Sequence, residues 1–107
     1  TGDRHTVKYA KDKKLFISFR DMAKNSPTKG DWVAWVGSYQ DLTDNRLGEY
    51  RILIKNNYNE WDSSYPGVEL LPTGEIVTTT YGHWTKGEMP YIMSVRLNLN
   101  EIKSILR

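Results

Sequence analysis

VKYAKDKKLFISFR (residues 7–20) and VELLPTGEIVTTTY (residues 68–81) are two versions of one pattern. Laid over each other, Val7 meets Val68, the turn Lys11–Lys13 meets Pro72–Gly74, and Leu15-Phe16 meets Ile76-Val77. Each stretch is a strand-forming run, a short turn and a second run, the sequence form of an antiparallel hairpin. With a small shift in the loop that follows, DWVAWV (31–36) falls over PYIMSV (90–95). Each unit is therefore a hairpin, a longer loop and a third strand, and the first unit adds a fourth strand at 49–55.

Outward from the repeat, the whole chain reads as strands at 4–10, 14–20, 31–38, 49–55, 65–71, 75–81 and 90–97. They are rich in Val, Ile, Thr, Tyr and Trp, which suit a pleated surface. Between them lie turn signals such as Ser26-Pro27-Thr28-Lys29-Gly30, Asn45 to Gly48 and Asn56 to Asn59. Trp32, Ala34 and Val36 point to one side of their strand and Val33 and Trp35 to the other; Leu15, Ile17 and Phe19 oppose Phe16. Two apolar faces mean a sheet packed on both sides. Only the tail predicts a helix: Asn98 with Glu101 reads as a cap, and Leu99, Ile102, Ile105 and Leu106 share a face. The expected fold class is all-β. Four antiparallel strands repeated every ~40–60 residues describe a β-propeller blade. The expected division is one blade over 1–58, a second, incomplete blade over 59–97 and a C-terminal helix over 98–107. Propellers close with roughly 4–8 blades, and about two are present. The expectation is a propeller fragment, completed by further blades or by self-association. An opening Thr in place of Met agrees with a natural start further upstream.

Composition narrows the function. The 107 residues carry 15 Lys+Arg and 13 Asp+Glu, a net charge of +2 that is too mild to argue for nucleic acid or a phospholipid surface as partner. Without cysteine there is no disulfide framework, zinc finger, iron–sulfur site or thiol nucleophile. No apolar run approaches the roughly 18–20 residues of a transmembrane helix. The two histidines, His5 and His83, have no company at metal-ligand spacing, so neither a metal nor a cofactor is expected. Aromatic residues make up 12%, which suits a β-rich core or a glycan-facing surface.

The repeat places Arg4 and Tyr65 at equivalent positions before the first strand of each unit, and Arg20 and Tyr81 at equivalent positions ending the second. Antiparallel strands return to the same rim, so Arg4, His5, Arg20, Tyr65 and Tyr81 are expected around one mouth. Guanidinium forks there suit the carboxylate of an acidic sugar. Bland readings stand beside these. Tyr65 also reads as a buried strand-edge tyrosine, and Arg4 and Arg20 as solvated or structural ion pairs. Trp32 and Trp35 read as core. Trp61 and Trp84 read equally as sugar platforms or packing, His5 and His83 as structural or rim residues, and Asp62 and Ser63 as turn formers. Glu60, Asp62 and Glu69 show no spacing that demands acid/base work.

SYPGVELLPTGEIVTTTYGHW (64–84) resembles the late blade of sialidases, and KKLFISFRD (13–21) is similar to the second strand of the blade before it. The resemblance covers nearly the whole chain and implies the last two blades of a six-bladed propeller of a glycoside hydrolase, with BNR-type repeats and, by family habit, an extracytoplasmic setting. It implies Tyr65 as the nucleophile. Sialic acid carries a carboxylate on its anomeric carbon, which repels a carboxylate nucleophile but not a neutral phenol, and sialidases are an exception to two-carboxylate glycosidase chemistry. A phenol of pKa ~10 needs a base beside it at neutral pH. The family's acid/base Asp, its first Arg and the Glu that activates the tyrosine belong to earlier blades. Its third carboxylate-binding Arg has Arg20 as nearest substitute, and no S-x-D-x-G-x-T-W box joins the third and fourth strands. The implied partner is an acidic glycan, and the 107 residues alone are expected to be inactive. A non-catalytic propeller that binds glycans or proteins is one alternative, and a small β-domain that works alone, with the aromatics as its own core, is another.

Overall fold

The computed structural model describes residues 2–59 and 62–105, the last three by their backbone alone. In order come β1 (Gly2–Tyr9), β2 (Leu15–Asp21), β3 (Trp32–Gly37), α1 (Tyr39–Thr43), β4 (Tyr50–Lys55), β5 (Gly67–Leu70), β6 (Ile76–Gly82), β7 (Tyr91–Leu97) and α2 (Leu99–Ile105). The class is all-β. One antiparallel sheet has the order β1-β2-β3-β4 and the other the order β5-β6-β7. The observed strands lie within two or three residues of those predicted from the alternation.

The two apolar faces of β2 and β3 enter separate clusters. Phe16, Ala34 and Val36 meet Val68 and Ile76 of the second sheet, forming the core between the sheets. Ile17, Phe19, Val33 and Trp35 cluster on the opposite face. Phe16, Val36, Val68 and Ile76 each contribute about 1.5–3 kcal/mol on full burial, so this cluster is a main tie between the two sheets. Trp32, wholly buried, leans on Trp84 with ring centroids 5.4 Å apart and donates Nε1 to Ser18 Oγ at 2.8 Å. Thr78 Oγ1 lies 3.0 Å from the same Ser18 oxygen. These hydroxyls tolerate burial because each has a partner.

The repeat extends to individual hydrogen bonds. In the first hairpin Ala10 N donates to Lys14 O and Lys13 N to Ala10 O; in the second, Leu71 N donates to Glu75 O and Gly74 N to Leu71 O. Lys13 (φ 65) and Gly74 (φ 92) take the same left-handed turn position. Gly2 pairs with Asp21 and Thr6 with Ser18, with a bulge between. Their counterparts Ser63–Gly82 and Gly67–Thr79 pair with the same one-residue offset. The third strand corrects the sequence alignment by one residue. Leu15 pairs with Gly37 and its counterpart Ile76 with Leu97, so Trp32 corresponds to Ile92 and not to Tyr91. Because side chains alternate, a slip of one would exchange the two faces. The stacking is head-to-tail: Phe16 and Ser18 face the second sheet, while their counterparts Val77 and Thr79 alternate with the inward Ile76 and Thr78 and so face away.

Two helices flank the sheets. α2 follows Asn98, whose Oδ1 accepts from Asn100 N at 3.1 Å and Glu101 N at 3.2 Å, and Leu99 packs on the inter-sheet core. The predicted contacts of Ile105 and Leu106 lie outside the described residues. α1 corrects the expectation that the tail alone is helical. Ser38 Oγ accepts from Asp41 N while Asp41 Oδ2 accepts from Ser38 N, a capping box that sustains a five-residue turn.

Candidate functional site

The site forms where β1 begins, β2 and β6 end, and the chain enters β5. The β1 bulge puts Arg4 into the left-handed region (φ 58), and Ser64, entering the second unit, does the same (φ 65). Such a conformation costs a non-glycine residue about 1–2 kcal/mol, so hydrogen bonds must hold it. Arg4 Nη1 donates to Ser63 O at 2.7 Å and Ser64 O at 3.1 Å, and reaches Tyr81 Oη at 3.3 Å. The Arg4 guanidinium carbon lies 4.1 Å from the centroid of the Tyr65 ring. At an exposed position that contact is worth roughly 0.5–1 kcal/mol, enough to bias the ring's orientation. Tyr65 is pinned through its backbone, N–H to Thr80 Oγ1 at 3.1 Å, yet is 68% exposed. Among the described residues its hydroxyl makes no hydrogen bond, and Arg4 makes none through Nη2 or Nε. An exposed phenol thus sits beside a half-buried guanidinium whose charge is also felt by Asp62 and Asp3.

Tyr81 continues the arrangement. Its hydroxyl donates to Asp62 Oδ1 at 3.2 Å, and Asp62 Oδ2 lies 2.7 Å from His83 Nε2. Asn59 Nδ2 approaches the same imidazole nitrogen at 3.3 Å. The His83 hydrogen bond, chiefly, holds the Asp62 carboxyl below its ordinary value; partial burial opposes this, and the Tyr81 hydroxyl and the charges of His83 and Arg4 reinforce it.

Arg20 belongs to the same rim but faces Asp3. Its Nε donates to Asp3 Oδ1 at 2.8 Å and its Nη2 to Asp3 Oδ2, a bidentate fork between β1 and β2. That hydrogen bonding holds Asp3 below its ordinary value and Arg20 above its own, against burial in both cases. The buried Arg20 therefore secures the strand end that carries Arg4. His5 is not brought to this cluster. Its ring stacks on Phe19, centroids 4.9 Å apart, on the face of the first sheet turned from the second. Trp84 is buried against Trp32, so packing is its place, with Nε1 unpartnered among the described residues. Glu60 and Trp61 lie outside the described residues. Among the described residues no group of three or more His, Asp or Glu is arranged to hold a metal.

Asp62 and His83 join this network; the sequence reads them as a turn former and as a structural or rim residue, without pairing them. The signal lay in the pairing. Ser63 bridges Gly82, so the residues just beyond, Asp62 and His83, face each other across the strand ends. Comparison with protein families, with curated proteins and with solved structures finds no match to this chain.

Proposed function

We propose that the two sheets are blades of a sialidase-like β-propeller and that their shared rim binds an acidic glycan, with Tyr65 as the nucleophile of a retaining glycoside hydrolase. One observation carries this reading: the Arg4 guanidinium lies against the ring of the exposed Tyr65, pairing a cation for the sugar carboxylate with a neutral oxygen nucleophile. In the reaction, Tyr65 Oη bonds to the anomeric carbon as the bond to the leaving oxygen breaks. A base takes the phenol proton and an acid protonates the leaving group. Water then cleaves the tyrosyl glycoside, restoring the phenol and retaining configuration. The base and acid belong to blades beyond these residues, so the 107 residues alone bind without turnover. Each such group contributes about 10²–10⁴-fold.

The reading is tested in two ways. An α-sialoside should bind the chain and perturb the resonances of Arg4 and Tyr65, and Arg4→Ala should abolish this while leaving a neutral methyl glycoside unaffected. In the propeller completed by its other blades, Tyr65→Phe should leave folding intact and reduce hydrolysis of an aryl α-sialoside by at least about 10²-fold. Turnover at the parental rate would make Tyr65 a packing residue. The absence of a hydrogen-bonded carboxylate at the Tyr65 hydroxyl among the described residues favours a second reading, a propeller that binds glycans or proteins without cleaving them. Binding without turnover in the complete propeller would select it.

A further inference from the structure

Arg4 stands at the start of β1 and His83 just beyond β6, and three contacts join them. Arg4 Nη1 reaches Tyr81 Oη at 3.3 Å, Tyr81 Oη donates to Asp62 Oδ1 at 3.2 Å, and Asp62 Oδ2 lies 2.7 Å from His83 Nε2. The carboxylate fixes the direction of every donor in this chain. Its oxygens only accept, so His83 carries a proton on Nε2, and the single proton of the Tyr81 hydroxyl points to Asp62 and turns a lone pair to Arg4. His83 Nδ1, without a hydrogen bond among the described residues, is then the atom that takes a second proton.

Charge follows the same path. Arg4 is a half-buried cation, and the Asp62 carboxyl is held below its ordinary value by the His83 hydrogen bond first and by the charge of Arg4 last. A Coulomb interaction is mutual, so ionised Asp62 withholds from an incoming anion part of the field of Arg4. A proton on His83 restores it, because Asp62 then faces a full cation in place of a neutral ring. The His83 side chain is 14% exposed and that of Asp62 49%, so solvent weakens the effect without removing it. Around His83, Tyr58 and Glu88 face it across an open cleft, Asn59 approaches its Nε2, and Asn57 holds its backbone N–H. By the ordinary values of these side-chain types, with Tyr81 and Arg4 included, imidazole is the one that changes charge between pH 5 and 8.

We infer that Asp62 and His83 are positioning residues of the rim: they hold the Tyr81 hydroxyl toward Arg4 and set, through the charge on His83, how strongly Arg4 attracts a carboxylate. The inference rests on the acidic-glycan reading above. Its sign is definite. A carboxylate ligand binds more tightly as pH falls from 8 to 5, with Asp62 ionised throughout because its carboxyl is held below 3.8.

The 107-residue chain, titrated by NMR with methyl α-sialoside and with its uncharged methyl ester, tests this. The sialoside should bind roughly fivefold more tightly at pH 5 than at pH 8, the effect of one charge acting over a few side chains near a surface. The ester should show no gain. Without ligand, the guanidinium resonances of Arg4 should move with the same midpoint as the His83 imidazole Cε1 proton. His83→Gln should make the affinities at the two pH values equal. Asp62→Asn should raise the affinity at pH 8, the removed charge outweighing the lost hydrogen bond, whereas loss of a merely structural contact would lower it at every pH. An unchanged amide spectrum away from the rim verifies the fold of both variants. Equal affinity at pH 5 and 8, with Arg4 and Tyr65 perturbed at both, overturns the role of the pair and leaves the acidic-glycan reading standing. A pH dependence that survives His83→Gln, as one arising from His5 would, does the same. No perturbation of Arg4 and Tyr65 at either pH overturns that reading and this inference with it.

Discussion

Two buried aspartates at opposite ends of one loop show how environment sets the sign of a carboxylate's contribution. Asp21 is fully buried, and burial alone would raise its pKa. Hydrogen bonds from the Ser26 and Thr28 hydroxyls and from Ala23 N, with Arg51 at 3.8 Å, outweigh that and bring it below 3.8. Among the described residues Asp31 has one backbone donor to its carboxylate, Asn57 N at 2.8 Å; burial dominates, the Asp21 charge adds to it, and its pKa rises above 3.8. The signs follow by linkage. For Asp21 the native pKa lies below the unfolded one, so its contribution is present above pH 3.8 and is lost as pH falls through the native value. For Asp31 the native state holds the proton more tightly, so stability from this site is lost as pH rises from 3.8 through the native value. Asp21→Asn should therefore cost about 2 kcal/mol at pH 7, because an amide NH₂ cannot accept from two hydroxyls. Asp31→Asn should be neutral or stabilising at pH 7 and should flatten the fall in stability above pH 3.8. Urea midpoints at several pH values read both effects. A destabilised Asp31→Asn at pH 7 would show that its carboxylate is needed where it lies.

At the scale of elements, the two hairpins are each other's controls. Lys13 occupies the left-handed turn position that Gly74 fills in the second unit. Lys13→Gly should raise stability by up to about 1 kcal/mol, the strain relieved less the extra freedom of the unfolded chain. In a domain of this size that is an increase in Tm of roughly 4–8 °C. No increase would show that the turn, with Lys14 N bonded to Asp12 Oδ1, already absorbs the strain. The comparison also locates what the sequence made legible. Alternation with hydrogen-bonding turns exposed the strands, both faces of β2 and β3, and the hairpin repeat. The rim followed from that repeat, since Arg4 and Tyr65 occupy matching strand starts. The β3–β7 match slipped by one residue because the loops before these strands differ in length and both strands carry apolar residues on either side of the slip. α1 was missed because its only signal is Ser38 with Asp41, against five residues with no buried face. The Asp62–His83 contact was missed because it depends on cross-strand pairing at a bulge. His5 was misplaced because it alternates with Thr6, whose hydroxyl bonds Pro66 O in the second unit, and so lies on the opposite face beside Phe19.

For the whole molecule, the head-to-tail stacking has an unclosed side. The first sheet buries Phe16, Ala34 and Val36 against the second, but its other face continues past Ile17, Phe19 and Val33 to residues that solvent reaches. Val7 pairs with Ile17 and Leu53 with Val33, so both lie on this face, about half exposed. Tyr9 lies on it too, and at the rim of the adjoining groove Leu47 is 93% exposed. The corresponding face of the second sheet, Ile76 and Thr78, is the one that the first sheet covers. On the proposed propeller reading, the symmetry of the repeat makes this the face on which a further sheet would pack. Contiguous apolar patches of this kind drive association when left uncovered. The 107-residue chain should accordingly associate as its concentration rises, measurable by sedimentation velocity or light scattering. Val7→Glu together with Leu53→Lys should return it to a monomer with little change in its melting, because both side chains are already half in water. A wild-type chain that stays monomeric and melts cooperatively at high concentration would mean that α1 and the loop behind it cover the face sufficiently. The two sheets would then be a complete stack, and the propeller reading would lose the packing argument that requires further blades.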